Sequence, residues 1–259
     1  MQSHHHLERD SDGLTQLHRA AKVGDVDACL NELLAGVDPD VPSGVLVKDG
    51  EDRRDWSYEP AETPLLLAIE NHHPTVVELL LERNADVSRF DSTRWTPLHA
   101  TVAASDHAMM ERLLTVGINT EVLCLRRGCD EELGWFFVNS PLHLAALRSD
   151  VVAATLLLDA RASISSCWID GRTPLIYAAA RGSTDVVELL CARGADPNQR
   201  EHRHEYAYFL DMAPLHYAAR NRHRDTFEAL IRLGAEPRAV ESHSGQTAAD
   251  MRIEFQGES

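Results

Sequence analysis

GRTPLIYAAARGSTDVVELLCARGADPN, residues Gly171 to Asn198, decides the fold of this chain. The string encodes two short helices and a turn. Thr173 is suited to N-cap the first helix, and Pro174, with φ already fixed and no N–H to lose, suits the first helical position. Leu175, Ala178 and Ala179 then fall on one face, where Leu175 anchors the contact and the alanines let a neighbouring helix approach. Gly182 breaks the helix. A second helix follows from about Thr184, with Val186, Leu189 and Leu190 forming an apolar stripe at i, i+3, i+4. Gly194 ends it.

The same pattern recurs along the chain. Blocks of Thr, Ser or Ala, then Pro or Gln, then Leu begin at Thr15, Thr63, Thr96, Ser140, Thr173 and Ala213, with a degraded seventh at Thr247. Successive starts are 48, 33, 44, 33, 40 and 34 residues apart, so the base period is 33. A period in this range signals a stacked repeat fold, in which each unit buries its apolar face only against its neighbours. Function is therefore to be sought on a surface and not in a cleft. Twelve residues beyond each first-helix breaker stand Gly36, Asn84, Gly117, Arg161, Gly194 and Gly234. Five of the six suit a left-handed cap, and Arg161 is the misfit, at a cost of about 1 kcal/mol.

Thr96-Pro97-Leu98-His99, Ser140-Pro141-Leu142-His143 and Ala213-Pro214-Leu215-His216, together with Gly194-Ala195-Asp196-Pro197-Asn198, closely resemble the ankyrin repeat. The resemblance spans roughly residues 13 to 255. It implies an all-α repeat solenoid, a stack of helix-turn-helix units with β-hairpin fingers along one edge, and a binding surface built from fingers and first helices. The repeats are placed near 13–42, 61–91, 94–125, 138–168, 171–200 and 211–241, with a partial repeat at 242–255. Residues 1–12 and 256–259 are left as tails on a single repeat domain. Gln16 in place of Pro and Leu66 in place of His depart from the pattern and predict looser helix starts there.

Composition narrows the function classes. Hydrophobic residues make up 44% of the 259 but lie in short amphipathic stretches, far below the roughly 18 consecutive apolar residues of a membrane span. The start, MQSHHHLERD, holds no apolar secretory stretch, and the five cysteines, an odd number, point to reduced thiols. A cytoplasmic or nuclear location is expected. The net charge of −16 is concentrated early: residues 1–138 carry 12 Lys and Arg against 25 Asp and Glu, while residues 139–259 carry 13 against 16. Such a field argues against nucleic acid and favours a basic partner, and it equally serves solubility.

Every second junction between repeats is expanded. The insertions occupy about Ser43–Pro60, Arg126–Val138 and Glu201–Leu210, all between one unit's second helix and the next unit's first. These 41 residues hold eight of the fifteen aromatics, where an even spread would put about two. They are Trp56, Tyr58, Trp135, Phe136, Phe137, Tyr206, Tyr208 and Phe209, while Phe90, Trp95 and Trp168 sit on unexpanded fingers. Long connections in compact domains are usually functional or disordered, and disorder rarely carries so many aromatics. Trp and Tyr dominate binding hot spots because they bring large area at small entropic cost. Packing of the rings on one another within each finger is the competing account.

The expected partner site is therefore these finger aromatics with Trp95, Trp168 and the first-helix residues Tyr177 and Tyr217. Tyr177 and Tyr217 hold matching positions that, in the ankyrin pattern, look toward the concave side. Arg181, Arg220, Arg222 and Arg224 nearby suit carboxylates or phosphates on a ligand and equally suit a solvated face.

Enzyme chemistry finds little support. His18, His99, His143 and His216 recur at the Leu-His position and read as hydrogen-bonding helix-start residues. Glu201-His202-Arg203-His204-Glu205 with His223 gathers donors, but without a third and fourth ligand at fixed spacing. Cys124 and Cys129 lack a second pair, and no phosphate loop or nucleophile elbow is present. The expectation is a non-enzymatic, monomeric binding protein for a protein or peptide, with no metal and no cofactor. Two alternatives stand beside it: an adaptor presenting substrates to a ubiquitin ligase, for which only Lys22 and Lys48 among the basic residues are acceptor amines, and an enzyme with a pocket between the expanded fingers.

Overall fold

The computed structural model describes residues 8–44, 62–91, 94–124, 127–130, 134–137, 140–167, 171–201, 211–240 and 245–253. Its contacts separate into two compact units, Met1–Asn119 and Thr120–Ser259. The first holds three helix pairs: α1 (Gln16–Val23) with α2 (Val26–Leu34), α3 (Pro64–Glu70) with α4 (Pro74–Glu82), and α5 (Pro97–Ala104) with α6 (His107–Thr115). The second opens on a hairpin of β1 (Arg127–Asp130) and β2 (Gly134–Phe137). It continues through α7 (Pro141–Leu147), α8 (Val151–Asp159), α9 (Pro174–Ala180), α10 (Thr184–Ala192), α11 (Pro214–Arg220) and α12 (Arg224–Arg232), and ends on α13 (Ala248–Ile253). In the first unit α1, α3 and α5 pack in a row, with α2 against α4. In the second α7, α9, α11 and α13 form one row, with α8, α10 and α12 beside it.

Helix starts follow the tetrapeptide. Thr63, Thr96 and Thr173 are extended N-caps whose hydroxyls accept from the N–H of Leu66, His99 and Ile176 at 3.2, 3.3 and 3.4 Å. Pro at the first helical turn then loses no bond. The Leu66 departure leaves the Thr63 cap intact, and α1 begins at Gln16 without the proline. Second helices start on an acidic cap in three repeats, where Asp25, Asp106 and Asp150 accept from Ala28, Met109 and Ala153 at 2.9, 3.0 and 2.9 Å.

Left-handed residues punctuate every repeat twice. Gly24, His72, Ser105, Ser149, Gly182 and Arg222 close the first helix with φ between 53 and 76°. Twelve residues on, Gly36, Asn84, Gly117, Arg161, Gly194 and Gly234 close the second with φ from 62 to 101°. Arg161 takes the left-handed conformation at 66°, so the chain bears the steric cost of a Cβ there.

α9 is covered on all sides, with every one of its residues buried. It lies between α7 and α11 and over α10, which is why Ala178, Ala179 and Ala180 suffice. On α10 the buried stripe is Val186, Val187 and Leu190, with Leu189 half-buried, so Val187 replaces the expected Leu189. The same i, i+1, i+4 pattern recurs as Val76, Val77 and Leu80, and as Met109, Met110 and Leu113. Burying each such leucine is worth about 2 kcal/mol. No described helix is long and apolar enough to cross a membrane.

The Leu-His histidines bond successive repeats. The Thr15 N–H lies 3.3 Å from Nδ1 of His18, which makes that nitrogen an acceptor, and Nε2 lies 3.0 Å from the Glu62 carbonyl, which can only accept. His18 is therefore the neutral Nε2–H tautomer. His143 and His216 repeat the arrangement, receiving from the Ser140 and Ala213 N–H and donating to the Arg172 and Ala239 carbonyls at 3.1 and 2.8 Å. Burial pushes the His18 imidazole down to about 4, so it stays uncharged at neutral pH.

Candidate functional site

Fingers begin from a shared neck. Asp10, Ser43, Asp91 and Glu201 each donate a backbone N–H to the carbonyl of the residue just before an N-cap: Leu14, Glu62, Trp95 and Met212, at 3.1, 2.8, 3.1 and 3.2 Å. Asp10 and Leu14 have three residues between them, as do Asp91 and Trp95. Ser43 and Glu62 have 18, and Glu201 and Met212 have ten. The long insertions thus leave from the same closed bases as the short fingers. The Ser43 hydroxyl also accepts from the Glu62 N–H at 2.7 Å. The junction before α7 instead carries the β1–β2 ladder, pairing Arg127 with Phe137, Gly128 with Phe136, Cys129 with Trp135 and Asp130 with Gly134.

Two arginines, one residue before a neck, tie one finger to the next. The Arg9 guanidinium donates to the carbonyls of Gly13, Pro42 and Gly44 at 3.0, 2.8 and 3.0 Å. Arg200 donates to the Asp211 carbonyl and carboxylate and to the Val240 carbonyl, at 3.1, 3.0 and 2.9 Å. Neither residue stands out in the sequence: they lie 6 and 13 residues before their N-caps, and their shared place, one residue before a neck, shows only once the necks are located. Arg9 and Asp10 also show that residues assigned to the N-terminal tail are bonded into the first repeat.

The Glu201–Met212 neck rests on a buried polar cluster. The Glu201 carboxylate, 1% exposed, accepts from Arg172 Nε at 3.2 Å and from the Tyr217 hydroxyl. The Arg172 guanidinium lies 5.4 Å over the Tyr217 ring. A buried charge is tolerated only when paired and hydrogen-bonded, and here both conditions are met. Glu201 is thus a structural neck residue and not a free metal donor, and His223 donates from Nε2 to the Ala180 carbonyl at 2.9 Å. Among the described residues no group of three or more His, Cys, Asp or Glu is placed to hold a metal ion.

Side chains at the finger turns bond the next repeat's backbone. Asp40 accepts from the Asp86 N–H at 2.8 Å, Glu121 from the Ser163 N–H at 2.9 Å, and Asn198 from the Glu236 N–H at 2.8 Å while donating to the Gly234 carbonyl at 3.0 Å. Burial, the leading cause, raises the Asp40 carboxyl above its ordinary value, whereas hydrogen bonds from the Ser88 hydroxyl and N–H lower Asp86.

Three of the expected partner residues are internal. Tyr177 is fully buried with its ring edge-on to His143 of the preceding repeat, and Tyr217 is buried over Glu201. Their position on a helix enclosed by its neighbours puts them in the inter-repeat core and not on a concave surface. Trp95 is also buried, stacked on His99 with centroids 5.2 Å apart. Trp135, Phe136 and Phe137 form the backbone of β2. Trp56, Tyr58, Trp168, Tyr206, Tyr208 and Phe209 lie outside the described residues. Phe90, on a short finger, is 43% exposed beneath the Arg94 guanidinium at 5.4 Å.

Comparison with known proteins agrees with this geometry. Models of ankyrin repeats match residues 17–124, 121–201 and 211–242. The chicken nuclear factor NF-kappa-B p105 subunit is 32% identical over 53% of this chain and 17% of its own length. The mouse B-cell lymphoma 3 protein homolog is 28% identical over 73% of this chain and 38% of its own. Glycerophosphocholine phosphodiesterase gde1 of Schizosaccharomyces pombe is 26% identical over 74% of this chain, though over only 16% of that enzyme. The chain therefore spans well under half of each of these relatives. The crystal structure of the Bcl-3 ankyrin repeat domain superposes with a TM-score of 0.69 over 95% of this chain and all of that one, at 23% identity, a likeness of fold.

Proposed function

The chain belongs to the ankyrin-repeat family, and on that footing we propose that it is a non-enzymatic module that binds a protein or peptide through its expanded fingers. One observation carries the reading: the first and third aromatic-rich insertions leave from necks closed by backbone hydrogen bonds, the third also by the buried Glu201, Arg172 and Tyr217 cluster, and the second carries a paired hairpin. A rigid base lowers the entropy lost when a finger engages a partner. In the C-terminal unit the β1–β2 hairpin and the Glu201–Met212 neck stand two repeats apart in the chain. With layers about 10 Å apart, they are separated by about 20 Å, the reach of six extended residues.

Trp135, Phe136, Phe137, Tyr206, Tyr208 and Phe209 are the proposed contacts of that unit, with Trp56 and Tyr58 on the first insertion and Trp168 on a short finger. Tyr177, Tyr217 and Trp95 act from beneath as supports. The excess of acidic residues in the first half favours a basic partner, and a cytoplasmic or nuclear setting fits the odd number of cysteines. The test compares native-lysate pulldowns by the wild-type chain and by Trp56→Ala/Trp135→Ala/Tyr208→Ala, which keeps the wild-type circular dichroism. Loss of specific proteins from the variant supports the reading, and an unchanged set refutes it.

A further inference from the structure

The ends of the helix pairs away from the fingers form a second edge, where each first helix turns into its second. In the N-terminal unit these turns carry Lys22 against Asp25, Asp27, Glu70 and Asp106. In the C-terminal unit the balance reverses: Arg148, Arg181, Arg220, Arg222 and Arg224 are all exposed, against Asp150, Asp185 and Asp225. Asp150 is already engaged as the cap of α8, and Arg224 shares an exposed pair with Glu228 at 3.1 Å. A positive edge on a chain of net charge −16 is local, but at physiological salt fields fade over about 8 Å, so a ligand at the turns senses their own balance, five arginines against three aspartates.

The edge is also shaped. Two open clefts of about 310 and 320 Å³ lie side by side and share Gly182 and Thr184. Arg181 and Asp185 line the first, and Arg222, Arg224 and Asp225 line the second, so the second carries the excess of positive charge. Gly182 and the small Ser149, Ser183 and Thr184 keep the floor low between the arginines. Guanidinium groups bind carboxylates in a planar, two-pronged geometry, and successive turns repeat at the helix spacing of about 10 Å. A peptide extended in the polyproline II conformation has three residues per turn and rises about 3.1 Å per residue, so every third side chain faces the same side at a spacing of about 9 Å, close to that repeat.

We propose that the inter-helix turns of the C-terminal unit dock an extended acidic peptide whose carboxylates recur at every third residue, on a surface separate from the fingers. The test is a ¹⁵N–¹H NMR titration of the full chain at 0.15 M salt with the peptide Glu-Gly-Ser-Glu-Gly-Ser-Glu. A second titration uses the same residues reordered so that the three glutamates are adjacent. Saturable shifts are expected at the Gly182, Thr184 and Arg222 amides, with the finger amides of Ser88 and Asn198 unmoved. Affinity is expected to fall at least tenfold in Arg181→Glu/Arg222→Glu and at least threefold for the reordered peptide. It is expected to be unchanged in Arg193→Glu/Arg232→Glu, which alters the same charge on the second helices. Absence of saturable shifts, equal affinity for the two peptides, or equal loss in both charge-reversed variants overturns the proposal. None of these outcomes depends on the finger aromatics, so the two surfaces are tested independently.

Discussion

The imidazole of His73 lies against Gly24 of the preceding repeat, so close that a Cβ on that glycine would stand 2.5 Å from Nδ1, while Nε2 reaches the Lys22 carbonyl at 3.1 Å. Two repeats of the second unit reproduce the pair, with His223 against Gly182 at the same 2.5 Å. A glycine in one turn thus makes room for a histidine in the next.

Gly24→Ala and Gly182→Ala each add a methyl where φ is 76 and 72° and where a ring already sits. We expect losses of about 2–4 kcal/mol in urea unfolding, combining left-handed strain with overpacking. Gly117→Ala and Gly194→Ala, at φ of 84 and 101° with nothing within 4 Å, are expected to lose only about 1 kcal/mol. Adding His73→Ala to Gly24→Ala recovers the contact part and leaves the strain.

Arg161→Gly is expected to stabilise the chain by about 1 kcal/mol, since it relieves a Cβ held at φ 66° on the second helix's end. Equal or lower stability of the variant in chemical denaturation contradicts this reading of the turn.

Acid destabilisation follows from His18. Its folded value of about 4 lies below the ordinary 6.5, so between those limits the unfolded chain binds a proton that the folded chain excludes. This contribution is fully present above pH 6.5, is lost as pH falls toward 4, and levels off below that, for a total of about 3 kcal/mol. Urea midpoints at pH 7, 5.5 and 4 measure it, and His18→Gln is expected to flatten the slope.

Glu201→Ala removes the carboxylate that both Arg172 and Tyr217 bond, and about 3 kcal/mol of stability is expected to go with it. Glu201→Gln keeps an acceptor and is expected to lose less. Equal losses in the two variants assign the effect to the carboxylate's charge alone and not to its packing.

Much of the fold was legible because the turn and cap residues recur at a fixed register. Thr173, Gly182 and Gly194 state the unit, and the left-handed positions twelve residues apart hold even at Arg161. The stripe on α10 was misread by one residue because a helix packed on two sides buries Val187 as well as Val186. Tyr177 and Tyr217 were misplaced for a related reason. Periodicity identifies a first-helix position but does not reveal that a seven-residue helix enclosed by neighbours has little outward surface. The supports at Arg9, Arg200 and Glu201 were hidden because their partners are backbone carbonyls or residues of other repeats, contacts that no local pattern encodes.

The most direct test of finger recognition places a photo-crosslinking residue singly at Trp135, at Tyr208 and, as a control on a second helix, at Glu188, followed by irradiation in native lysate. The account predicts that Trp135 and Tyr208 capture the same discrete protein and that Glu188 does not. Capture of one protein equally from all three positions, or from Glu188 alone, contradicts it.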